Sequence, residues 1–306
     1  MPIAAQRSIP DRQNDPEMIE LLATASTFYA YGKVASAIQV FLTVGLSVVL
    51  AILTGIFPEC KLWATFVAIT MTWLDVLCID RLVIHFRKRG ALAQEEFDTD
   101  VFQLQWNELR VGKHLEPEDI HQAGQKFIRQ VGKKKLENWY PDEVAGLPIE
   151  FARLICQRAC FYWDNAQRKR YGDALVIIAA IVIVLMIILS LCKTQSVADF
   201  ILADYAPLAP AIIWLFREAR RQKEAAEGLE KGRAFLNGVW EKAVAGNWGD
   251  DELNHWGRQI QDALYDSRGR NPFIFNWVYR LLRSGQEESM KIAAGRLAAQ
   301  VKTKKT

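Results

Sequence analysis

The chain is poor in the residues that carry reaction chemistry. It has only five cysteines and four histidines in 306 residues. The cysteines show no paired spacing, which excludes a disulfide scaffold. Cys156 and Cys160 are four apart, but no His or second Cys pair joins them, so they do not read as a zinc site. His114 and His121 with Glu118 read as exposed helix residues. The phosphate-cradling GxxxxGK[ST] and GxGxxG patterns are absent, as are HExxH and GxSxG. The carboxylates form no pattern that names a reaction, so the chain is expected not to be an enzyme and to carry no cofactor and no metal. A net charge of +3 is too small to argue for a DNA or RNA polymer as partner. The N-terminus carries Asp11, Asp15, Glu17 and Glu20 with no apolar core, unlike a signal peptide.

What the chain does have is charge-free runs. Val34 to Phe57 is uncharged for 24 residues, and Ala174 to Cys192 for 19. Nineteen residues of helix reach roughly 28 Å, about one hydrocarbon thickness. Leu62 to Ile79 carries one acid, Asp75, and Val197 to Phe216 carries Asp199 and Asp204 with Pro207 and Pro210. These four runs read as transmembrane helices in two hairpins: 34–79 and 174–216. Of the 38 Lys and Arg residues, the two short turns hold only Lys61 and Lys193. Both termini are therefore expected to be cytoplasmic. The sequence thus predicts an all-α membrane protein: an N-terminal amphipathic helix within 1–33, a cytoplasmic sensor segment 80–173 and a helical tail 217–306.

Residues 1–14 read as loose, and Asp15-Pro16 as a helix start. Pro117 to Gln130 has helical phase. In the tail, Asp250 caps a helix with Leu253, Trp256, Ile260 and Leu264. Asn271-Pro272 caps another through Ile274, Trp277, Val278 and Leu281, and a last helix runs past Met290 to Val301. Phe102, Leu104 and Trp106 alternate with polar residues, a strand period over a short stretch. No Pro occurs between Ile149 and Cys192. One continuous helix can therefore tie a polar surface rich in Arg and aromatic residues to the membrane interior.

Several stretches together resemble the SMODS-associating four-transmembrane effector family of bacterial cyclic-oligonucleotide antiphage signalling (CBASS). They are Arg12-Gln13-Asn14-Asp15, Phe97 to Gly112 (FDTDVFQLQWNELRVG), Trp139-Tyr140-Pro141, Leu147-Pro148 and Ile155 to Asp164 (ICQRACFYWD). Further matches are Arg168 to Tyr171, Leu202 to Pro210 and Arg270 to Arg283 (RNPFIFNWVYRLLR). They cover the chain in order. The resemblance implies an effector of the bacterial inner membrane. It would bind a cyclic oligonucleotide made by a partner nucleotidyltransferase and breach the bilayer, as a homo-oligomer.

Such a ligand needs flat rings for its bases and cations for its phosphates. Candidate contacts are Trp106, Asn107, Arg110 and Lys113; Trp139 and Tyr140; and Gln157, Arg158, Tyr162, Trp163 and Asp164. Arg158 and Tyr162 share a helix face. The competing reading makes these aromatics core. Arg168 to Arg170 and Arg87 to Arg89 read first as topology determinants and second as ligand contacts. An acid at mid-membrane costs roughly 2.5–3.5 kcal/mol. Asp204, Pro207, Pro210 and Asp75 are therefore candidates for a polar seam or gate between spans. The rival functional classes are a constitutive membrane scaffold and a gated ion channel.

Overall fold

The structure is a computed structural model that describes residues 7–192, 196–276 and 286–304. Among these the chain is entirely helical. The elements are α1 (Ile9–Arg12), α2 (Pro16–Val40), α3 (Leu46–Ile56), α4 (Lys61–Leu74), α5 (Asp80–Val101), α6 (Glu108–Val111), α7 (Pro117–Val131), α8 (Ile149–Cys192), α9 (Val197–Asp199), α10 (Ala206–Ala245), α11 (Asp250–Arg270) and α12 (Gln286–Lys304).

Three helical rods are long and apolar enough to cross a membrane: Pro16–Thr54, Leu62–Val101 and Ile149–Cys192. The chain is thus a membrane protein. Each rod joins an apolar half to a polar half without a loop. The first two each contain a π turn, Phe41–Gly45 or Asp75–Ile79, where the helical hydrogen bonds span five residues in place of four and the helix continues. α8 runs unbroken for 44 residues, as the lack of proline predicts. The expected fourth span, 197–216, is helical in backbone through a third π turn, Phe200–Tyr205, and continues into α10. The side chains of Asp204 and Pro207 lie outside the described residues. Pro210 is exposed within α10.

In the apolar halves the large side chains point outward: Trp63 is 71% and Leu191 73% exposed. In the polar halves they point inward. One core gathers Ile9 and Leu22, Phe97 and Phe102, Leu154 and Phe161, Leu236, and Leu253. α2 packs on α5 and α7, and α8 on α10, with α11 and α12 closing the far side. Gly232 lets α8 and α10 approach, since a Cβ there would lie 2.5 Å from the Phe161 ring.

Three expectations need correction. Residues 8–12 are not loose: Ser8 caps α1, and Ile9 is 1% exposed. Phe102 to Trp106 is no strand. Its side chains alternate between more and less buried, but Phe102 and Gln103 form a turn at the end of α5, with Gln103 at φ 53, and no strand lies beside the segment among the described residues. Asn271-Pro272 does not open a helix through Ile274. Residues 272–275 belong to no helix, and Ile274 is buried against Tyr171, Leu175 and Ala219. The backbone carbonyls of Pro272 and Phe273 accept hydrogen bonds from Arg168 and Gln222, an alternative to helical pairing. Trp277, Val278 and Leu281 lie outside the described residues.

Candidate functional site

The polar domain encloses a cavity of about 690 Å³, within the size range of small-molecule sites. One wall is the α8 face carrying Cys160, Trp163, Asp164, Gln167 and Arg168. Opposite it stands the segment 134–141, with Trp139 and Tyr140. The end of α11, residues 271–274, Tyr29 and Lys33 of α2, and Met290 and Lys291 of α12 also line it, with Gln94 and Leu229.

The aromatic wall is held by residues distant in sequence. Gln13 accepts from the Tyr140 N–H at 2.6 Å and donates to the Tyr140 carbonyl at 3.3 Å, as a strand neighbour would. Asn14 accepts from the Asn138 N–H and donates to the Asn138 side chain, both at 2.9 Å. Asn138 sits at φ 53, a left-handed conformation that Asn tolerates. Two residues of the Arg12 to Asp15 motif thus fix Trp139 and Tyr140. Trp139 is 41% exposed, a ring open to a partner. Tyr140 is nearly buried against Phe97 and Phe102, and its hydroxyl donates to Asp98 at 2.6 Å.

Six cations line the cavity: Lys33, Lys134, Lys135, Arg168, Arg268 and Lys291. Among the described residues, two acids, Glu137 and Asp164, accompany them. Arg268 is fixed by Asp98 at 2.5 Å and touches the Cys160 sulfur at 3.7 Å. Burial pushes the Cys160 thiol up to about 11, so it is protonated and inert at neutral pH. Arg168 is 7% exposed. It donates to Gln222 and to the Pro272 carbonyl, each at 2.8 Å, and pairs with Asp164 at 2.9 Å. Lys33 donates to Asn276 at 2.7 Å. Burial, with Arg168 close by, pushes its ammonium down to about 8. Chemically, the cavity offers flat rings and an excess of positive charge to an anionic, ring-bearing ligand.

Trp139, Tyr140, Trp163, Asp164 and Arg168 are the sequence candidates that meet here. The others are placed elsewhere. Trp106 donates to the Gly112 carbonyl and stacks on His114, Asn107 bonds Asp262, and Arg110 pairs with Asp266. Lys113 is exposed nearby. Arg158 and Tyr162 do share a face, but it turns to α10, where they meet Asn237 and Arg233. Gln157 is buried against Gly257 and Gln261. Lys33, Gln167 and Arg268 carry no sequence signal of their own, except that Gln167 follows Trp163 by four residues, on the same helix face; Asn271 reads in the sequence as a helix cap, not as a site residue.

A smaller space of about 280 Å³ lies beside the first, lined by Gln39, Arg87, Glu218 and Arg221 among others. Pro272 and Phe273 belong to the walls of both spaces. Arg87 donates to the Gly269 carbonyl at 3.0 Å, and burial lowers its guanidinium from the ordinary value. Asp75 turns toward Gln39, not Arg81, and its Oδ1 is buried without a partner among the described residues.

A family model described as the SMODS-associating 4TM effector domain matches residues 7–297. A protein of Bacillus cereus (strain VD146), named a probable CBASS effector molecule, is 26% identical over 289 residues, which is 92% of this chain and 95% of that one. No solved structure matches the chain significantly.

Proposed function

This chain belongs to the SMODS-associating 4TM effector family, and from that premise we propose that it is an antiphage effector gated by a cyclic oligonucleotide. The ligand, made by a partner nucleotidyltransferase, occupies the 690 Å³ cavity. The long helices then rearrange, and an assembly of several copies breaches the inner membrane. The four spans include 197–216, and both termini are cytoplasmic. The observation that carries this reading is the meeting of Trp139 and Trp163 with six cations in one cavity, with Tyr140 buried in its wall. Base stacking on such rings contributes about 1–3 kcal/mol per base, and guanidinium groups fork onto phosphate oxygens.

The route to the membrane is the segment 271–276. Its first residues line the ligand cavity, and Phe273 and Phe275 line the smaller space next to Arg87 and Arg221. Arg168, a cavity cation, holds this segment by its Pro272 carbonyl. A phosphate that recruits Arg168 loosens that hold. From Arg168 to its end at Cys192, α8 carries the shift outward over about 36 Å of helix. Asp75 with Gln39, and Asp204 with Pro207 and Pro210, form the polar seam that opens. Moving a resting balance of 1:99 to 99:1 takes about 5.5 kcal/mol of preference for the active arrangement. Two stacked bases and two forked phosphates supply that.

The test is a binding titration of full-length protein in nanodiscs with cyclic di- and trinucleotides. One of them is expected to bind, and Trp163→Ala and Arg268→Met are each expected to weaken it more than tenfold. Trp106→Ala, outside the cavity, serves as a control and is expected to leave binding unchanged. No binding across the panel by folded protein would favour a constitutive scaffold.

A further inference from the structure

We propose that Gln167 and Asn271 read the edge of a purine base stacked on Trp163. This rests on the cyclic-nucleotide reading and deepens it from ligand class to base class. Gln167 is 3% exposed and lines the cavity. Its Nε2 is buried and, among the described residues, bonds to nothing; the same holds for Nδ2 of Asn271, also on the wall. Buried amide donors are nearly always satisfied, so two unsatisfied ones on one cavity mark where a ligand supplies acceptors.

The acceptors belong to a base edge. The cavity already offers Arg168, Arg268 and Lys33 to phosphates. A neutral amide adds little to them, but it suits a neutral edge of donors and acceptors. Gln167 lies one helical turn beyond Trp163 on the same face, so a base stacked on that ring brings its edge over the Gln167 amide. Both purines present N7 as an acceptor there, beside the N6 donor of adenine or the O6 acceptor of guanine. Gln pairs bidentately with adenine at N6 and N7, whereas guanine takes one donor from each amide. A pyrimidine has no nitrogen at the N7 position.

The experiment titrates full-length protein in nanodiscs with the best-binding cyclic oligonucleotide and with its 7-deaza counterpart, in which N7 is a C–H. Wild type is expected to bind the 7-deaza ligand about tenfold more weakly, the loss of one hydrogen bond from a buried donor. Gln167→Met, with an unchanged melting temperature, is expected to bind both ligands alike. Equal binding of the two ligands by wild type overturns the proposal, as does a preference that survives in Gln167→Met or a best ligand made only of pyrimidines. Absence of any cyclic-oligonucleotide binding removes the underlying reading, and this inference with it. Tight binding with no N7 dependence removes this inference alone.

Discussion

Asp98 secures two walls of the cavity at once. It is fully buried and accepts from Tyr140, Gln261 and Arg268. Removing a buried carboxylate strands its cation, at a cost of about 3–5 kcal/mol. Asp98→Ala is therefore expected to destabilise the fold by about that amount in denaturant unfolding, and to weaken nucleotide binding in the fraction that stays folded. Lys33 ties binding to pH. Burial, and second the charge of Arg168, push its ammonium down to about 8 from the ordinary 10.5. An anionic ligand favours the protonated form, so affinity is expected to fall between pH 7 and pH 9. Lys33→Met should flatten that slope in a titration series. Stability has the opposite sign: the unfolded chain binds the extra proton between about pH 8 and 10.5, so folding gains there as pH rises. At this scale the sequence shows half of the site. Trp139, Tyr140 and Trp163 stand out as aromatics among basic residues. Lys33 and Arg268 do not, because they arrive from helices more than a hundred residues away from that motif.

The helices tie the domain that holds the cavity to the apolar halves without a loop. α8 was legible in full, since 44 residues without proline permit one rod. The first rod is less legible. Charge stops at Lys33 but the backbone does not, and α2 runs through Val34 without interruption. The π turns leave no mark in the composition. Residues 271–275 read as the start of a capped helix by local rules, yet they form none, and tertiary contacts take up their backbone carbonyls. Phe273 stacks edge-on to Tyr29 and fills the notch over Gly32, where a Cβ would come within 2.4 Å of the ring. Gly32→Val is expected to expel Phe273 and free the segment. The expected outcome is dye leakage from proteoliposomes without any nucleotide, while Gly238→Ala, where a Cβ meets nothing, leaves the resting state intact.

The whole molecule divides into a well-packed polar domain and apolar halves whose side chains face outward. Exposed apolar surface of that extent needs lipid or other copies of the chain. The all-helical fold and three of the apolar rods follow from charge-free runs alone. The cavity does not, because it forms where elements from both ends of the sequence converge. The most direct measurement is leakage of a small dye from liposomes carrying the purified protein, challenged with cyclic di- and trinucleotides and their linear forms. Leakage triggered by one cyclic form and not by its linear counterpart, and lost in Trp163→Ala, is the expected result. Silence across the panel with folded, inserted protein, or leakage indifferent to nucleotide, would contradict a ligand-gated effector.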